Sequence, residues 1–132
     1  MQTALNVAND QVATAGLAVD KAETSLITAD ELSAEKLVNT LPESAIKTNY
    51  ITRLKYVKQE ISAMAAVTNA ETKKTQSYVD SAVKLVTALT DSNLKTSLQS
   101  RIKTVQETLH LHKLLLQLMQ WQKQRQVYCN RI

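Results

Sequence analysis

The strongest constraint on this chain is that it repeats itself. Sliding the sequence by 48 positions aligns residues 18–61 with 66–109 without a gap. Identical pairs run the length of the alignment. Ala22/Ala70, Glu23/Glu71 and Thr24/Thr72 stand near its start, and Lys36/Lys84, Leu37/Leu85, Val38/Val86 and Leu41/Leu89 in its middle. Lys47/Lys95, Arg53/Arg101, Lys55/Lys103 and Val57/Val105 close it. Self-similarity at a fixed period of roughly 20–50 residues marks units that bury their apolar faces against one another, so both stretches are expected to take one conformation.

That conformation is helical. The 132 residues include one Gly and one Pro, against ordinary usage of about 7% and 5%. A turn-rich β fold would lack the residues its corners need. Each unit reads as three helical pieces. The first spans about 11–27 and about 62–74, with Val12, Val19, Ala22 and Leu26 in one copy and Val67 and Ala70 in the other. Thr28-Ala29-Asp30-Glu31 follows with capping-box spacing, and Thr75-Gln76-Ser77 offers cap residues without the box. The second piece, about 30–41 and about 77–89, sets Val79, Ala82, Val83, Val86 and Leu89 on one face. Leu41-Pro42-Glu43-Ser44 ends it in the first copy, since Pro fits only in the first turn of a following helix; Thr90-Asp91-Ser92 ends it in the second.

The third piece carries a bundle seam: Ile46, Tyr50, Leu54, Val57, Ile61 and Met64, answered by Leu94, Leu98, Ile102, Val105 and Leu109. No breaker separates Ser44 from Lys74, so one helix of about 30 residues and about 45 Å is expected to link the copies and stiffen them. The expected fold is therefore all-α: two tandem three-helix repeat units, 1–61 and 62–109, sharing a long connecting helix, with a basic helical tail over 110–132.

Lys21-Ala22-Glu23, Lys36-Leu37-Val38-Asn39 with Leu41-Pro42, Lys47-Thr48 and Arg53-Leu54 with Val57 together resemble the tandem helical repeats of secreted and surface proteins of Gram-positive bacilli. Units there read KAE, LVxxLP, KxxL, RLxxVQ. The second copy follows the same skeleton but has Thr90 where the proline would stand. The resemblance implies a spacer or adhesive array on a larger exported protein, and it brings no catalytic residues. Two other readings stand beside it: a protein-binding helical module with an unidentified partner, and a small cytoplasmic helical protein that dimerises through its tail. The start of the chain shows neither a basic n-region nor a long apolar run, so no signal peptide is read there. No segment is apolar enough to span a membrane.

Catalysis finds no candidate. With a single Gly, phosphate loops and nucleophile elbows have no material to form from. His110 and His112 sit two residues apart, on different faces of a helix, and Cys129 lies four to five turns further along, so neither a metal site nor a Cys–His pair is expected. No cofactor is expected. Cys129 reads as an exposed thiol able to cross-link chains on oxidation. Asp30, Glu31 and Asp80 read as acids at helix N-termini. Lys36/Lys84, Lys47/Lys95 and Arg53/Arg101 read as a solvated face supported by pairs four residues apart, or as a binding stripe.

The net charge of +4 belongs to the tail. Residues 1–109 hold twelve basic and twelve acidic side chains, whereas Lys113, Lys123, Arg125 and Arg131 face no acid within 110–132. A nucleic-acid groove would be a basic patch on the folded body, so that reading is set aside. Both His, the Trp and the Cys also fall in the tail. Its codons give a reason if each third base opens a new triplet. Met119-Gln120 and Trp121-Gln122 then each force Ala, and Tyr128-Cys129 forces Leu. The intervening junctions allow a continuous AVAKAETSLL, which mirrors residues 18–27. The tail thus reads as a third repeat translated out of frame from near Leu109. As translated, Leu111, Leu114, Leu115, Leu118 and Met119 cover more than one helix face and predict self-association.

Overall fold

The computed structural model describes residues 2–132 and is all-helical. Its five helices are α1 (Gln2–Ser25), α2 (Thr28–Asn39), α3 (Ala45–Lys73), α4 (Gln76–Thr87) and α5 (Asn93–Asn130). The chain divides into two compact units, Met1–Met64 and Ala65–Ile132, and the boundary falls inside α3.

Helix boundaries follow the sequence period. α2 and α4 begin and end 48 residues apart, as do the starts of α3 and α5 and the ends of α1 and α3. Leu26 and Lys74, the residues after those last two ends, are also 48 apart. Both adopt a left-handed conformation, φ 51° and 49°. Each donates its amide to the carbonyl four residues back, Leu26 to Ala22 and Lys74 to Ala70. This satisfies one orphan carbonyl of the last helical turn. Neither residue is glycine, so this backbone conformation costs about 1–2 kcal/mol each time.

The core of the first unit is aliphatic. Ala15, Val19 and Ala22 of α1 pack with Ala34 and Val38 of α2, with Leu41, and with Leu54 and Val57 of α3. Val12, Ala18, Leu26, Tyr50 and Ile61 close its edges. From Ala63 onward the buried apolar set is Ala63, Val67, Ala70, Val79, Ala82, Val86, Leu89, Leu98, Ile102 and Val105. Eight of these ten are the first core displaced by 48 residues; the other two, Val79 and Leu98, stand where the first copy has Glu31 and Tyr50. Burying a Val or Leu is worth about 1.5–3 kcal/mol, so this pattern fixes which face of each helix points inward.

The helix ends depart in part from what the sequence suggests. Ser44 and Ser92 do cap α3 and α5: each hydroxyl accepts from the amide three residues on, Lys47 or Lys95, at 3.2 Å. The capping box at Thr28 is absent. Ile27 holds the N-cap position of α2 without a side-chain hydrogen bond, and Glu31 turns into the core instead of back toward the cap. Pro42 lies in the connection between α2 and α3, outside the first turn of α3, so the turn does not depend on it. The equivalent connection, 88–92, is made without proline.

One residue of the seam and one of the second piece's apolar face are less buried than their spacing suggests. Ile46 is 48% exposed and Val83 37%. Ile46 lies in the first turn of α3, and Val83 lies just beside the stripe formed by Val79, Ala82 and Val86.

Candidate functional site

Of the charged residues that recur between the copies, Glu23/Glu71, Lys47/Lys95 and Arg53/Arg101 are held by partners within the chain. In the first unit the Arg53 guanidinium reaches across from α3 to α1. It donates to Glu23 through Nε (2.8 Å) and Nη2 (2.6 Å), and to Asp20 through Nη2 (2.6 Å). Those hydrogen bonds, Glu23's first, hold Arg53 more firmly protonated than usual. Its counterpart Arg101 makes the same fork to Glu71, 2.8 and 2.6 Å, with Thr68 Oγ1 at 3.4 Å where the first unit has Asp20. Arg101 lowers the pKa of Glu71 by that hydrogen bond. A bidentate arginine–carboxylate pair fixes the relative position of two helices.

Lys47 and Lys95 serve the connections. Lys47 Nζ binds Glu43 at 2.6 Å and is largely buried. Lys95 Nζ donates to the Leu89 carbonyl at 2.9 Å and to Asp91 at 3.0 Å. The conserved cation thus ties each loop to the first turn of the following helix. Of the recurrent cations singled out in the sequence, Lys36 and Lys84 lie on exposed faces.

Acidic residues near helix starts do not converge on a reaction centre. Asp30 accepts from Lys21 at 2.7 Å, and that bond, with help from Ser25, lowers its pKa. Asp80 accepts from Gln76 at 2.8 Å. Glu31 differs from both. It is 3% exposed, and its Oε1 makes no hydrogen bond; Lys58 Nζ lies 3.4 Å away, within ion-pair reach but without hydrogen-bond geometry. Lys58 bonds instead to Glu35 at 2.7 Å, the main reason its pKa is raised. Glu35 and Lys58 also line a groove of about 300 Å³ with Val38, Ile51, Leu54 and Lys55. Sequence reasoning missed this triad because Thr28-x-x-Glu31 offered a capping role. The available signal was the partner position, 48 residues on, where Glu31 meets Val79 of an apolar stripe.

The tail stands apart. α5 continues to Asn130, and residues 110–132 are exposed throughout. Leu111, Leu114, Leu115, Leu118 and Met119 are 66%, 47%, 54%, 50% and 55% exposed. Leu111, Leu115 and Leu118 stand 48 residues after Ala63, Val67 and Ala70, which are fully buried. The helical register that α3 buries thus continues in α5 with larger side chains and no cover. His110, His112 and Cys129 are also exposed, and the nineteen helical steps from His110 to Cys129 extend about 28 Å along the helix. Among the described residues no group of His, Cys, Asp and Glu is arranged to hold a metal ion, and no helix is long and apolar enough to cross a membrane. A hollow of about 620 Å³ near Lys123, Val127, Tyr128 and Arg131 is an open surface along this one helix.

No protein-family model matches the chain, and the searches found neither a similar curated protein nor a similar solved structure.

Proposed function

We propose that this chain is a segment of a tandem helical array, two three-helix repeats joined through α3, that serves as a non-catalytic spacer or adhesive array of a larger secreted or surface protein. One observation carries the reading: helix ends and buried positions recur together at a spacing of 48 residues. Such arrays gain stability from each unit and from nearest neighbours, and they supply separation in place of chemistry. The recurrent arginines support the same view, since their hydrogen-bonding capacity serves helix-to-helix clamps.

Mechanical separation requires a defined distance between units, which spin labels measure. Ser33 and Ser81 are exposed and occupy the same place in the two copies. Labels on cysteines at these sites, in a Cys129→Ser background, should give one narrow distance distribution. A broad distribution would show a hinge, and a hinge does not hold a distal domain at a set distance.

A second property belongs to the tail. Its uncovered leucines, Leu111, Leu114, Leu115 and Leu118, with Met119, make it the surface through which copies of this chain associate. The full chain is expected to be oligomeric, whereas residues 1–109 should sediment as a monomer. Identical behaviour of the two would remove the tail from the interface.

A further inference from the structure

The uncovered tail has a finer pattern than general apolarity. Leu111, Leu114, Leu118, Trp121, Arg125 and Tyr128 follow one another at spacings of three and four. That is the a/d seam of a two-stranded coiled coil. All of it is exposed, Trp121 at 52% and Tyr128 at 70%. The seam also lies away from the side of α5 that the second unit buries: at 100° per residue, Leu111 points opposite to Ile102. A helix laid on the seam therefore need not touch that unit's core. Toward the N-terminus the same seam passes through Glu107, Thr104 and Ser100, each exposed.

Charge selects both the occupant and its direction. From Thr108 to Gln124 the positions flanking the seam, Thr108, His110, Leu115, Gln117, Gln122 and Gln124, carry no Lys, Arg, Asp or Glu, so two basic tails meet there without charge repulsion at their margins. Within the seam, from Ser100 to Tyr128, the one cation is Arg125 and the one anion is Glu107. They stand eighteen residues apart, five helical turns, on the same face. A parallel pair would set Arg125 against Arg125. In an antiparallel pair centred on residue 116, Leu114 seats against the partner's Leu118 and Leu111 against the partner's Trp121. The same register carries Arg125 to the partner's Glu107 at both ends. Arg125 is already laid along the seam, its guanidinium 4.8 Å from the Trp121 ring centroid. Glu107 is 64% exposed and has Lys103 only at 4.0 Å.

We propose that two copies of this chain pair through residues 104–128 as an antiparallel two-helix coiled coil, with each Arg125 bridging to the partner's Glu107. The proposal rests on the self-association stated above and adds its direction and register. It also sets the two Cys129 thiols about 39 Å apart along the coil, since Cys129 comes opposite the partner's Lys103.

Sedimentation equilibrium of the full chain tests it. The wild type should be a dimer, and Leu118→Asp, a change at an exposed site, should be monomeric with unchanged helical circular dichroism. Arg125→Glu places like charges at both ends and should weaken the dimer roughly tenfold. Adding Glu107→Arg to the same chain reverses both charges and should restore it. A monomeric wild type would overturn the association itself. A dimer that Arg125→Glu does not weaken, that Glu107→Arg does not restore, or that oxidises readily through Cys129 would overturn the antiparallel register while leaving the association standing.

Discussion

The first unit buries Glu31 where the second buries Val79, on helices whose ends match residue for residue. The substitution is not isolated. Glu35 and Lys58, which surround Glu31, correspond to Val83 and Gln106 in the second copy. One unit thus carries a polar triad on the face where the other carries an apolar stripe, and the backbone tolerates both. A second compensated exchange lies between α1 and α3. Gly16 faces Tyr50 so closely that a Cβ at residue 16 would meet the Tyr50 hydroxyl at 2.6 Å, whereas the second copy has Met64 and Leu98 at these places. Both exchanges show that the unit of substitution here is the contacting set. A single residue moved from one copy to the other should fail where it strands a charge or a bulky group without its counterpart, and the set should then succeed.

The largest effect expected from that rule is Val79→Glu. A carboxylate placed at a fully buried site with Gln106 in the place of Lys58 has no cation to pair with. Burying a charge without its partner should destabilise the second unit by about 3–5 kcal/mol in urea unfolding. Gln106→Lys added to Val79→Glu should recover part of that loss. Full tolerance of Val79→Glu alone would mean the two sites are not equivalent environments. Next in size is Gly16→Met, which drives a side chain into Tyr50 and should cost about 1–3 kcal/mol through overpacking. Tyr50→Leu in the same chain should relieve most of it. If the double variant is no better than the single, the two positions do not exchange as a pair.

The reverse transplant should stabilise. Glu31→Val removes a carboxylate oxygen that lacks a hydrogen bond and leaves Lys58 with its 2.7 Å bond to Glu35. Removing one partner of a buried ion pair is costly when the other is left buried and unpaired, but Lys58 is half exposed and keeps Glu35, so nothing is stranded. A gain of about 1 kcal/mol is expected, visible as a higher urea midpoint at unchanged slope. A clear loss would show that Lys58 depends on Glu31 more than the 3.4 Å separation implies.

What could be read before any coordinates was the part fixed by periodicity and small-residue chemistry. The stripe of Val79, Ala82 and Val86 and the seam of Leu54, Val57, Ile102 and Val105 follow from spacing alone, and they are buried. Ser44 and Ser92 announce helix starts because a short hydroxyl side chain can reach the third amide. Less legible was anything decided by tertiary surroundings. Glu31 sits three residues after a threonine, and local chemistry offers it a cap; the core of the first unit takes it instead. Lys47 and Lys95 do pair with the acids four residues back, Glu43 and Asp91, as their spacing suggests, but their ammonium groups are largely buried and close the loops behind them. No local motif announces a long-range role such as that of Glu31 or Arg53. Comparing the two copies is the signal that does, because a recurrent cation beside a changing neighbour marks a structural bond. Arg53 and Arg101 make the point: Asp20 becomes Thr68, while the glutamate each arginine clamps is retained.

The smallest effects should separate two glutamates by the sign of their response to pH. Burial, aided by the negative charge of Glu23, raises the pKa of Glu60, whose counterpart is the neutral Thr108. Folding therefore opposes its ionisation, and the penalty grows as pH rises from the ordinary glutamate value through the folded one. Glu60→Gln should stabilise the chain at neutral pH, and the advantage should vanish in acid. Glu71 is shifted the other way by Arg101. Its contribution is fully present above the ordinary glutamate value and is lost as pH falls through the depressed folded value. Glu71→Gln should therefore destabilise at neutral pH and become nearly silent at low pH. Both groups are partly solvated, so each difference should be a fraction of 1 kcal/mol, and urea midpoints taken across the acid range suffice to compare them. Curves that move in the same direction for the two variants would mean that the Arg101 clamp does not act on Glu71 as its geometry indicates.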